Sequence, residues 1–357
     1  MGKIFCVYKI GYHLAMFRRW KLRITLFALA IFMVVVPPAL AGASAVVFMY
    51  HRFGENSHPS TNITIEQFEA HLKELESGTY NVLSLSDITD ALRRGAPLPE
   101  RTVGISVDDA YLSVYTMAWP RLKEAGFPFT LFTSTRAIDQ GLKSYMNWRQ
   151  IREMADAGVT IGHHMASHGN MLAAEAGSNR RELAEATQRF SEKLENKPAL
   201  FAYPYGAASQ AVRKMIIDAG FSAAFGQHSG VIGGDGDLYF LPRFAMSEKY
   251  GALSRFRLAA NALPLTVTEV TPPDFLVTGN NPPAIGFTVT GGIEGLERLN
   301  CFSSHEGKLR VIRLADTRIE VRLRSPLPEG QTRLNCTQPA ADGRWRWLGR
   351  QFYFLAR

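Results

Sequence analysis

The segment ISVDDAY, residues 105–111, places two adjacent aspartates at the end of an apolar run that extends from Val103 to Val107. Aspartate is unfavourable in strands, and two neighbouring carboxylates repel each other. Adjacent strand residues point to opposite sides, so Asp108 and Asp109 are able to serve two different tasks. The pair alone is weak evidence, because an aspartate at a strand end is more often a helix cap or a turn former.

Similar apolar runs recur on both sides of this segment and alternate with amphipathic stretches. The runs are AVVFMYH, TVGISV, FTLFTS, VTIGHH, LFAYPYG and SAAFG. The stretch TIEQFEAHLKELESG predicts a helix, because Phe68, Leu72 and Leu75 share one face. Thr64 is its expected N-cap. The alternation predicts an α/β fold over residues 45–262, with a parallel sheet, closed or open, and helices outside it. In such folds the chemistry lies at the carboxyl ends of the strands.

The pattern changes after Leu263. The stretch PLTVTEVTPPDFLVTGNNPPAIGF is rich in Pro, Thr and Asn and is typical of a linker or irregular strands. Farther along, Ile319, Val321 and Leu323 alternate with charged residues, which predicts a strand with one face in water. We therefore expect residues 263–357 to form a small all-β, sandwich-like domain.

The N-terminus carries much of the positive charge and has the pattern of an export signal. Six basic residues precede Ile24, and without them the formal charge of +8 would be +2, so a nucleic-acid partner has little electrostatic support. The apolar run 24–36 is shorter than the ~20 residues of a membrane-spanning helix. Residues 1–41 thus predict a signal peptide or, if they are not cleaved, a membrane anchor. In either case the rest of the chain is predicted to be periplasmic or extracellular. In that setting Cys301 and Cys336 would form a disulfide; otherwise they are two buried thiols.

Histidines follow a second apolar run, in the segment VTIGHHMASHGNM. His164 and His168 are four residues apart, a spacing that allows both imidazoles to bind one ion, and His163 lies beside them. Two imidazoles and one carboxylate leave positions for water and substrate, while the other aspartate is free to accept a proton. This combination is typical of a metal-dependent hydrolase.

A third polar segment, LFAYPYG, follows another apolar run. Pro204 and Gly206 indicate an irregular backbone, in which an amide N–H can point into the site. Taken alone, this segment is a turn with two tyrosines.

Together the three segments resemble the polysaccharide deacetylases of carbohydrate esterase family 4, the NodB-homology domain, over roughly residues 45–262. SVDDAY is similar to the first family motif, with Val107 in place of phenylalanine. HMASH is similar to the H-S/T-x-x-H motif, with Met165 where serine or threonine is usual. YPYG is similar to the third motif, but Ala202 stands where many members carry arginine.

The resemblance implies a distorted (β/α) barrel and a role for each motif residue. Asp108 would be the general base. Asp109, His164 and His168 would hold a divalent metal ion, zinc or another transition ion. The backbone N–H of Tyr205 would contribute to the oxyanion site.

The general acid is left open by the resemblance, because the family's L-x-x-H-like segment has no clean match here. A first strand like AVVFMYH is typical of the circularly permuted branch that acts on poly-N-acetylglucosamine. This sequence also resembles that branch because it lacks the arginine of the third motif. His51 is therefore the preferred acid, and His228, in GQHSG, is the alternative. Arg243, in LPRF, is the candidate substitute for the arginine that orients Asp108.

The implied activity is the removal of N-acetyl groups from an amino-sugar polysaccharide, with release of acetate. Tyr203, Pro204, Trp148 and Arg243 are the candidate substrate-binding residues. Trp148, in YMNW, would either wall a sugar pocket or belong to the core at a helix start. Two alternatives stay open: a non-catalytic glycan-binding protein on the same barrel, and a metal-dependent hydrolase of small amides.

Overall fold

The computed structural model describes residues 44–195, 197–234 and 236–356, together with Gly2. Apart from Gly2, the predicted signal peptide or anchor over residues 1–41 lies outside the described residues. Within the described part of the chain, no helix has the length and apolar character needed to cross a membrane.

The first two thirds of the described chain alternate short strands with helices. The strands are β1 Ser44–Tyr50, β2 Arg52–Phe53, β3 Asn62–Ile63, β4 Asn81–Val82, β5 Thr102–Asp108, β6 Thr130–Thr133, β7 Thr160–His163, β8 Leu200–Ala202, β9 Ala223–Phe225, β10 Ile232–Gly233 and β11 Phe244–Ala245. The α-helices are α1 Ile65–Leu75, α2 Leu85–Arg93, α3 Trp119–Glu124, α4 Thr135–Asp139, α5 Trp148–Asp156, α6 Ala176–Leu194, α7 Gln210–Asp218 and α8 Leu253–Ala260. A π-helical turn precedes α3, and a 3₁₀ turn follows β8.

Nine of these strands form one sheet with the order β10-β1-β5-β6-β7-β8-β9, in which β4 also pairs with β5 and β11 with β1. Every pair except β1–β10 is parallel. The predicted parallel sheet with intervening helices is therefore confirmed. In the described residues the path of paired strands ends at β9 and β10, so this pairing does not by itself close the sheet into a barrel.

Both faces of the sheet are buried, which explains the continuous apolar runs in the sequence. Along β1, Val46, Phe48 and Tyr50 pack in one hydrophobic cluster, while Ala45 and Val47 pack in another. This sorting follows the alternation of side chains along a strand. Polar residues therefore fit best where the strands end.

Helix starts follow from local capping chemistry. Thr64 and Gln67 form a reciprocal capping box at the start of α1, as expected for Thr64. The predicted apolar face is confirmed, because Phe68, Leu72 and Leu75 are all buried. Such a cap stabilises a helix by about 1 kcal/mol.

The remaining described residues form strands and one 3₁₀ turn. The strands are β12 Leu263–Pro264, β13 Thr266–Thr271, β14 Leu276–Val277, β15 Ile285–Gly291, β16 Asn300–Ser303, β17 Gly307–Lys308, β18 Arg310–Arg313, β19 Arg318–Arg322, β20 Gly330–Pro339 and β21 Trp345–Phe354. A six-stranded sheet has the order β12-β21-β20-β16-β17, with β14 beside β21, and a four-stranded sheet has the order β13-β15-β19-β18.

The two sheets share a hydrophobic cluster, to which Ile285 and Phe287 contribute from one sheet and Leu334 and Phe352 from the other. Ile319 and Val321 are buried and their neighbours are less so, which confirms the predicted strand with one wet face. A disulfide joins Cys301 on β16 to Cys336 on β20, as predicted.

Candidate active site

The polar residues singled out in the sequence lie at the carboxyl ends of four parallel strands. His51 follows β1, Asp108 ends β5 and Asp109 follows it, His164 follows β7, and Tyr203 follows β8. In open α/β sheets, the groups that bind ligands lie at this edge. The sheet order therefore brings together segments that are far apart in the sequence.

The loops at this edge carry unusual backbone conformations. Asp109, Ala110, Met165, His168 and Tyr205 have φ values of 77°, 53°, 65°, 59° and 58°. Residues other than glycine seldom adopt positive φ, and such strain, about 1–3 kcal/mol per residue, tends to cluster at functional sites. The surrounding structure must hold these loops in place.

Asp109, His164 and His168 form a compact set of metal-binding side chains. One carboxylate oxygen of Asp109, Oδ1, is 3.6 Å from Nε2 of His164 and 3.3 Å from Nε2 of His168. One ligand atom from each residue lies within 4.8 Å of the others. This donor set is typical of a divalent transition ion with open coordination positions.

The orientation of His164 supports the same interpretation. Its Nδ1 is 2.7 Å from the carbonyl oxygen of Ala202 and donates to it, which leaves Nε2 buried without a protein partner. Such a second contact commonly fixes the ring of a metal ligand. Burial, reinforced by nearby His168, lowers the pKa of His164 to about 4, so the ring is neutral at pH 7 and able to bind an ion.

His163 faces the opposite side of the sheet. The backbone N–H of Met165 donates to its Nδ1, and its ring packs against Phe190 and Phe201. The alternation of side chains along β7 thus separates the core histidine from the metal-site histidine.

Asp108 is held by a buried ion pair with Arg243. The two guanidinium nitrogens donate to its carboxylate oxygens at 2.7 and 2.9 Å, and both side chains are fully buried. Arg243 also donates to Ser106 and to the carbonyl oxygen of Gly226. Burial alone would raise the pKa of Asp108, but the charge of Arg243, assisted by His164 and His51, lowers it to about 2. Arg243 thus lies where an orienting arginine is needed.

The two candidate acids occupy different surroundings. His51 is half-buried and follows Tyr50, which pairs with Val107 on β5, so His51 and Asp108 lie at the ends of neighbouring strands. His228 is buried and stacks on Phe240, with a ring-centroid distance of 4.6 Å. Burial, followed by neighbouring arginines, lowers the pKa of His228 to about 3. His51 therefore stays the preferred candidate acid as a prediction, and His228 lies in the core.

The loop after β8 presents Tyr205 to the metal-binding residues. Its ring lies edge-on to His168 at 4.6 Å and is about half exposed. Within the loop, the N–H of Gly206 donates to the carbonyl oxygen of Tyr203, and the N–H of Ala207 donates to the carbonyl oxygen of Pro204.

The carbonyl oxygen of Tyr205 accepts hydrogen bonds from Gln351 and Tyr353 on β21. Neither Gln351 nor Tyr353 belongs to a motif that the sequence predicts to be functional. No local pattern marks them, because they lie almost 150 residues from the loop that they contact.

Three of the four predicted substrate-binding residues are buried, namely Tyr203, Pro204 and Arg243. Tyr203 is fully buried, its hydroxyl donates to the carbonyl oxygen of Tyr239, and its ring packs against Phe240, so its side chain belongs to the core. Pro204 is also buried and shapes the backbone of the loop. Both follow β8 directly, where the chain still packs against the core.

Trp148 lies at the start of α5. Its indole N–H donates to Asp139, and its ring lies edge-on to Phe190. These contacts correspond to the helix-start alternative rather than to a sugar pocket.

An aromatic pair, Tyr111 and Tyr145, is a further feature that the sequence motifs do not predict. The rings of Tyr111 and Tyr145 are 4.8 Å apart, and the guanidinium carbon of Arg52 lies 3.5 Å from the centre of the Tyr111 ring. Burial, and then the charge of Asp109, raise the pKa of Tyr111. Tyr111 lies two residues after Asp109 in the sequence, and this proximity was the available signal.

Comparisons with known proteins agree with this geometry. Residues 95–224 match the family model described as polysaccharide deacetylase, a segment that contains Asp108, Asp109, His164, His168 and Tyr205. The chain is 26% identical, over 57% of its length and 72% of the other, to YxkH of Bacillus subtilis, which is provisionally named a polysaccharide deacetylase. It is 23% identical, over 56% of its length and 73% of the other, to a poly-β-1,6-N-acetyl-D-glucosamine N-deacetylase of Staphylococcus aureus.

Solved structures show the same fold. IcaB from Ammonifex degensii superposes with a TM-score of 0.54 at 26% identity, covering 60% of this chain and 97% of that one. The Streptococcus pyogenes deacetylase PplD gives a TM-score of 0.57 at 18% identity, covering 61% of this chain and 99% of that one. The resemblance inferred from the sequence is therefore confirmed.

Proposed function

We propose that this chain, which carries a polysaccharide deacetylase domain, is a metal-dependent hydrolase that removes N-acetyl groups from an amino-sugar polysaccharide. The observation that carries the proposal is the set Asp109, His164 and His168 beside the ionised Asp108, all within the segment that matches the family model. A glycan-binding protein without activity would not need a base held next to an open metal site.

The donor set fits a divalent ion, since the buried Nε2 of His164 has no protein partner and faces the carboxylate of Asp109. Bound there, such an ion would supply Lewis-acid activation of the acetyl carbonyl and of a water molecule. Zinc is the first metal to test, because imidazole and carboxylate ligands suit it.

The residues of the chain divide the proton transfers between them. Asp108, oriented by Arg243, accepts the proton of the attacking water. The backbone N–H of Tyr205 donates to the oxygen on which negative charge develops, a contribution typically worth about 3–4 kcal/mol. His51 donates a proton to the departing amine, so that acetate and a free amino sugar result.

The substrate class is an N-acetylglucosamine-type glycan. Support comes from the named activity of the Staphylococcus aureus relative and from the half-buried Tyr111 and Tyr145, whose rings offer a surface for a sugar beside Asp109. The protein acts outside the cytoplasm, in keeping with its disulfide. Residues 45–262 form the catalytic domain and residues 263–357 a β-rich second domain. The protein would be anchored to a membrane only if residues 1–41 are not cleaved.

Acetate release from a panel of glycans tests the proposal. Purified protein, stripped of metal and reloaded with zinc, cobalt or nickel, is incubated with poly-β-1,6-N-acetylglucosamine, chitin oligomers, peptidoglycan and small acetamides. We expect acetate only from glycans and only with metal. Cleavage of small acetamides alone would support the small-amide alternative, and glycan binding without acetate would support the non-catalytic one.

A further inference from the structure

We propose that Gln351 and Tyr353, on strand β21 of the C-terminal sheet, are positioning residues for the active site. They fix the carbonyl group of Tyr205 and thereby hold the Tyr205 loop against the metal-binding residues. The inference rests on the proposed function in one respect, the oxyanion role of the Tyr205 N–H. The β-rich C-terminal sheet would thus help to position a catalytic group.

Four hydrogen bonds carry the argument. The side-chain amide of Gln351 donates to the carbonyl oxygens of Tyr205 and Gly206, both at 3.0 Å, and lies 3.1 Å from the hydroxyl of Tyr353. The Tyr353 hydroxyl donates to the carbonyl oxygen of Tyr205 at 2.6 Å. Both side chains are buried, with 0% and 3% of their surface exposed. Because water is largely excluded, these bonds set the direction of the carbonyl group.

Close packing reinforces this contact. A Cβ atom added to Gly206 would lie 2.7 Å from the backbone nitrogen of Gln227 and 2.8 Å from Nε2 of Gln351. Gly206 also has a φ of 66°, a conformation that favours glycine. The absence of a side chain at Gly206 therefore allows the loop to approach Gln351 on β21 closely.

The supporting strand is well anchored. β21 pairs with β20 over ten residues, from Gly330–Phe354 to Pro339–Trp345, and β20 carries the disulfide-bonded Cys336. Side chains that lie on a strand are held more rigidly than side chains on a loop. Gln351 and Tyr353 are therefore fixed relative to the sheet on which they lie.

The contact reaches the site through Tyr205. Its left-handed φ of 58° is unfavourable for a tyrosine, so the conformation needs external support. With the carbonyl fixed on one side of the residue, the N–H on the other side and the ring beside His168 keep their directions. Loss of the support would misdirect the donor, and small misplacements at a reacting centre are costly.

Two pairs of matched variants test the proposal. Gln351→Leu removes two amide-to-carbonyl bonds at the loop. Its control, Gln338→Leu, removes two comparable bonds, to Gly292 and Glu294, elsewhere in the same sheet. Tyr353→Phe removes one hydroxyl, and Tyr239→Phe removes a hydroxyl that donates to the carbonyl oxygen of Phe221.

Four quantities are measured on each full-length protein: melting temperature, metal content, backbone hydrogen exchange over residues 203–208, and kcat and KM for acetate release. We expect Gln351→Leu to lower kcat at least ~10-fold with little change in KM, and Tyr353→Phe to lower it less. Exchange over residues 203–208 should rise in both. The melting temperatures of the two control variants should fall by similar amounts. Their kcat should stay within about 2-fold of the wild-type value, and their hydrogen exchange over residues 203–208 should not change.

Each outcome decides the question. Unchanged exchange in Gln351→Leu and Tyr353→Phe, or raised exchange with kcat equal to the controls, overturns the positioning role. If Gln351→Leu does not fold, the single-atom change Tyr353→Phe still gives the answer. If the wild-type protein releases no acetate from any glycan, the proposed function fails, while the exchange comparison still shows whether β21 holds the loop.

Discussion

At the residue scale, the buried pair of Asp108 and Arg243 explains how two adjacent aspartates coexist. Asp108 is ionised because Arg243 donates to both of its oxygens, and the carboxylate of Asp109 lies against the imidazoles of His164 and His168. The carboxylate of Asp108 is therefore paired with a guanidinium group, and that of Asp109 is paired with metal-binding imidazoles. The repulsion between neighbouring charges is relieved separately for the two residues.

We predict that Asp108→Asn keeps the metal but loses acetate release by several orders of magnitude, because a neutral amide cannot accept the proton of water. The same change leaves the Arg243 guanidinium buried without a counter-charge, which should lower the free energy of unfolding by about 3–5 kcal/mol. Metal analysis, acetate release and urea denaturation of the purified variant measure the three effects. A fully active Asp108→Asn variant would remove Asp108 as the base.

Asp109→Asn should have the complementary effect. Replacing the carboxylate weakens metal binding, so the ion content should fall while excess ion partly restores activity. The unfolding free energy should change less than in Asp108→Asn, since no buried guanidinium loses its partner. If Asp109→Asn retains the ion and Asp108→Asn loses it, the two assignments are reversed.

The residues found from the sequence share one property: each has chemistry that is visible from its immediate neighbours. Asp109, His164 and His168 follow apolar runs, and strand ends meet at one edge of a parallel sheet. Tyr203 was misplaced because a tyrosine after a strand has no local mark that separates a buried ring from an exposed one. Tyr205, two residues later, is the exposed member.

At the element scale, capped helices and buried strands were predictable, whereas the short strands that pair with β1 were not. The capping box at Thr64 and the apolar face of α1 depend on residues within one helix. In contrast, β10 and β11 are two residues long, and their pairing with β1 depends on distant parts of the chain. Such short segments carry no periodicity from which to predict a partner.

The disulfide between β16 and β20 gives an element-scale prediction. Cys301 and Cys336 are directly opposite each other in the sheet and 35 residues apart in sequence. Closing a loop of this length stabilises the folded state by roughly 3–4 kcal/mol in the chain-entropy model. Reduction should therefore lower the free energy of unfolding by that amount.

Chemical denaturation with and without reductant measures the difference, and non-reducing peptide mapping should give one linked peptide. Cys301→Ala/Cys336→Ala is the matched variant, and reductant should leave its stability unchanged. Rapid thiol labelling of the untreated, exported protein would contradict the bond.

At the scale of the whole molecule, the catalytic edge is completed from the far end of the chain. Gln351 and Tyr353 approach the Tyr205 loop only because the C-terminal sheet packs beside β8 and its loop. Contacts of this kind depend on the assembled fold and leave no pattern in the sequence. The alternation in β19 predicted a strand, but it could not identify the loop that the sheet would support.

Buried histidines make the stability of the whole molecule sensitive to pH. Burial lowers the pKa of His71 to about 4 and that of His228 to about 3. Both rings are therefore neutral in the folded protein, while in the unfolded chain they bind protons below pH ~6.5. Stability is fully present above that pH and is lost as the pH falls towards the folded-state pKa, by up to about 1.4 kcal/mol per pH unit for each histidine.

His71 allows this effect to be isolated. Its Nδ1 accepts from the hydroxyl of Tyr50, its Nε2 contacts the carbonyl oxygen of Gly251, and its ring stacks on Phe256, so a proton on Nδ1 would break a buried hydrogen bond. We predict that His71→Asn lowers stability at pH 7 but shows a shallower loss between pH 6.5 and 4.5 than the wild type, since one titrating group is gone. His58→Asn is the control, because His58 is exposed and its φ of 64° suits asparagine. Urea denaturation at several pH values gives the slopes: the control should match the wild type, and an unchanged slope in His71→Asn would show that this histidine does not couple folding to protonation.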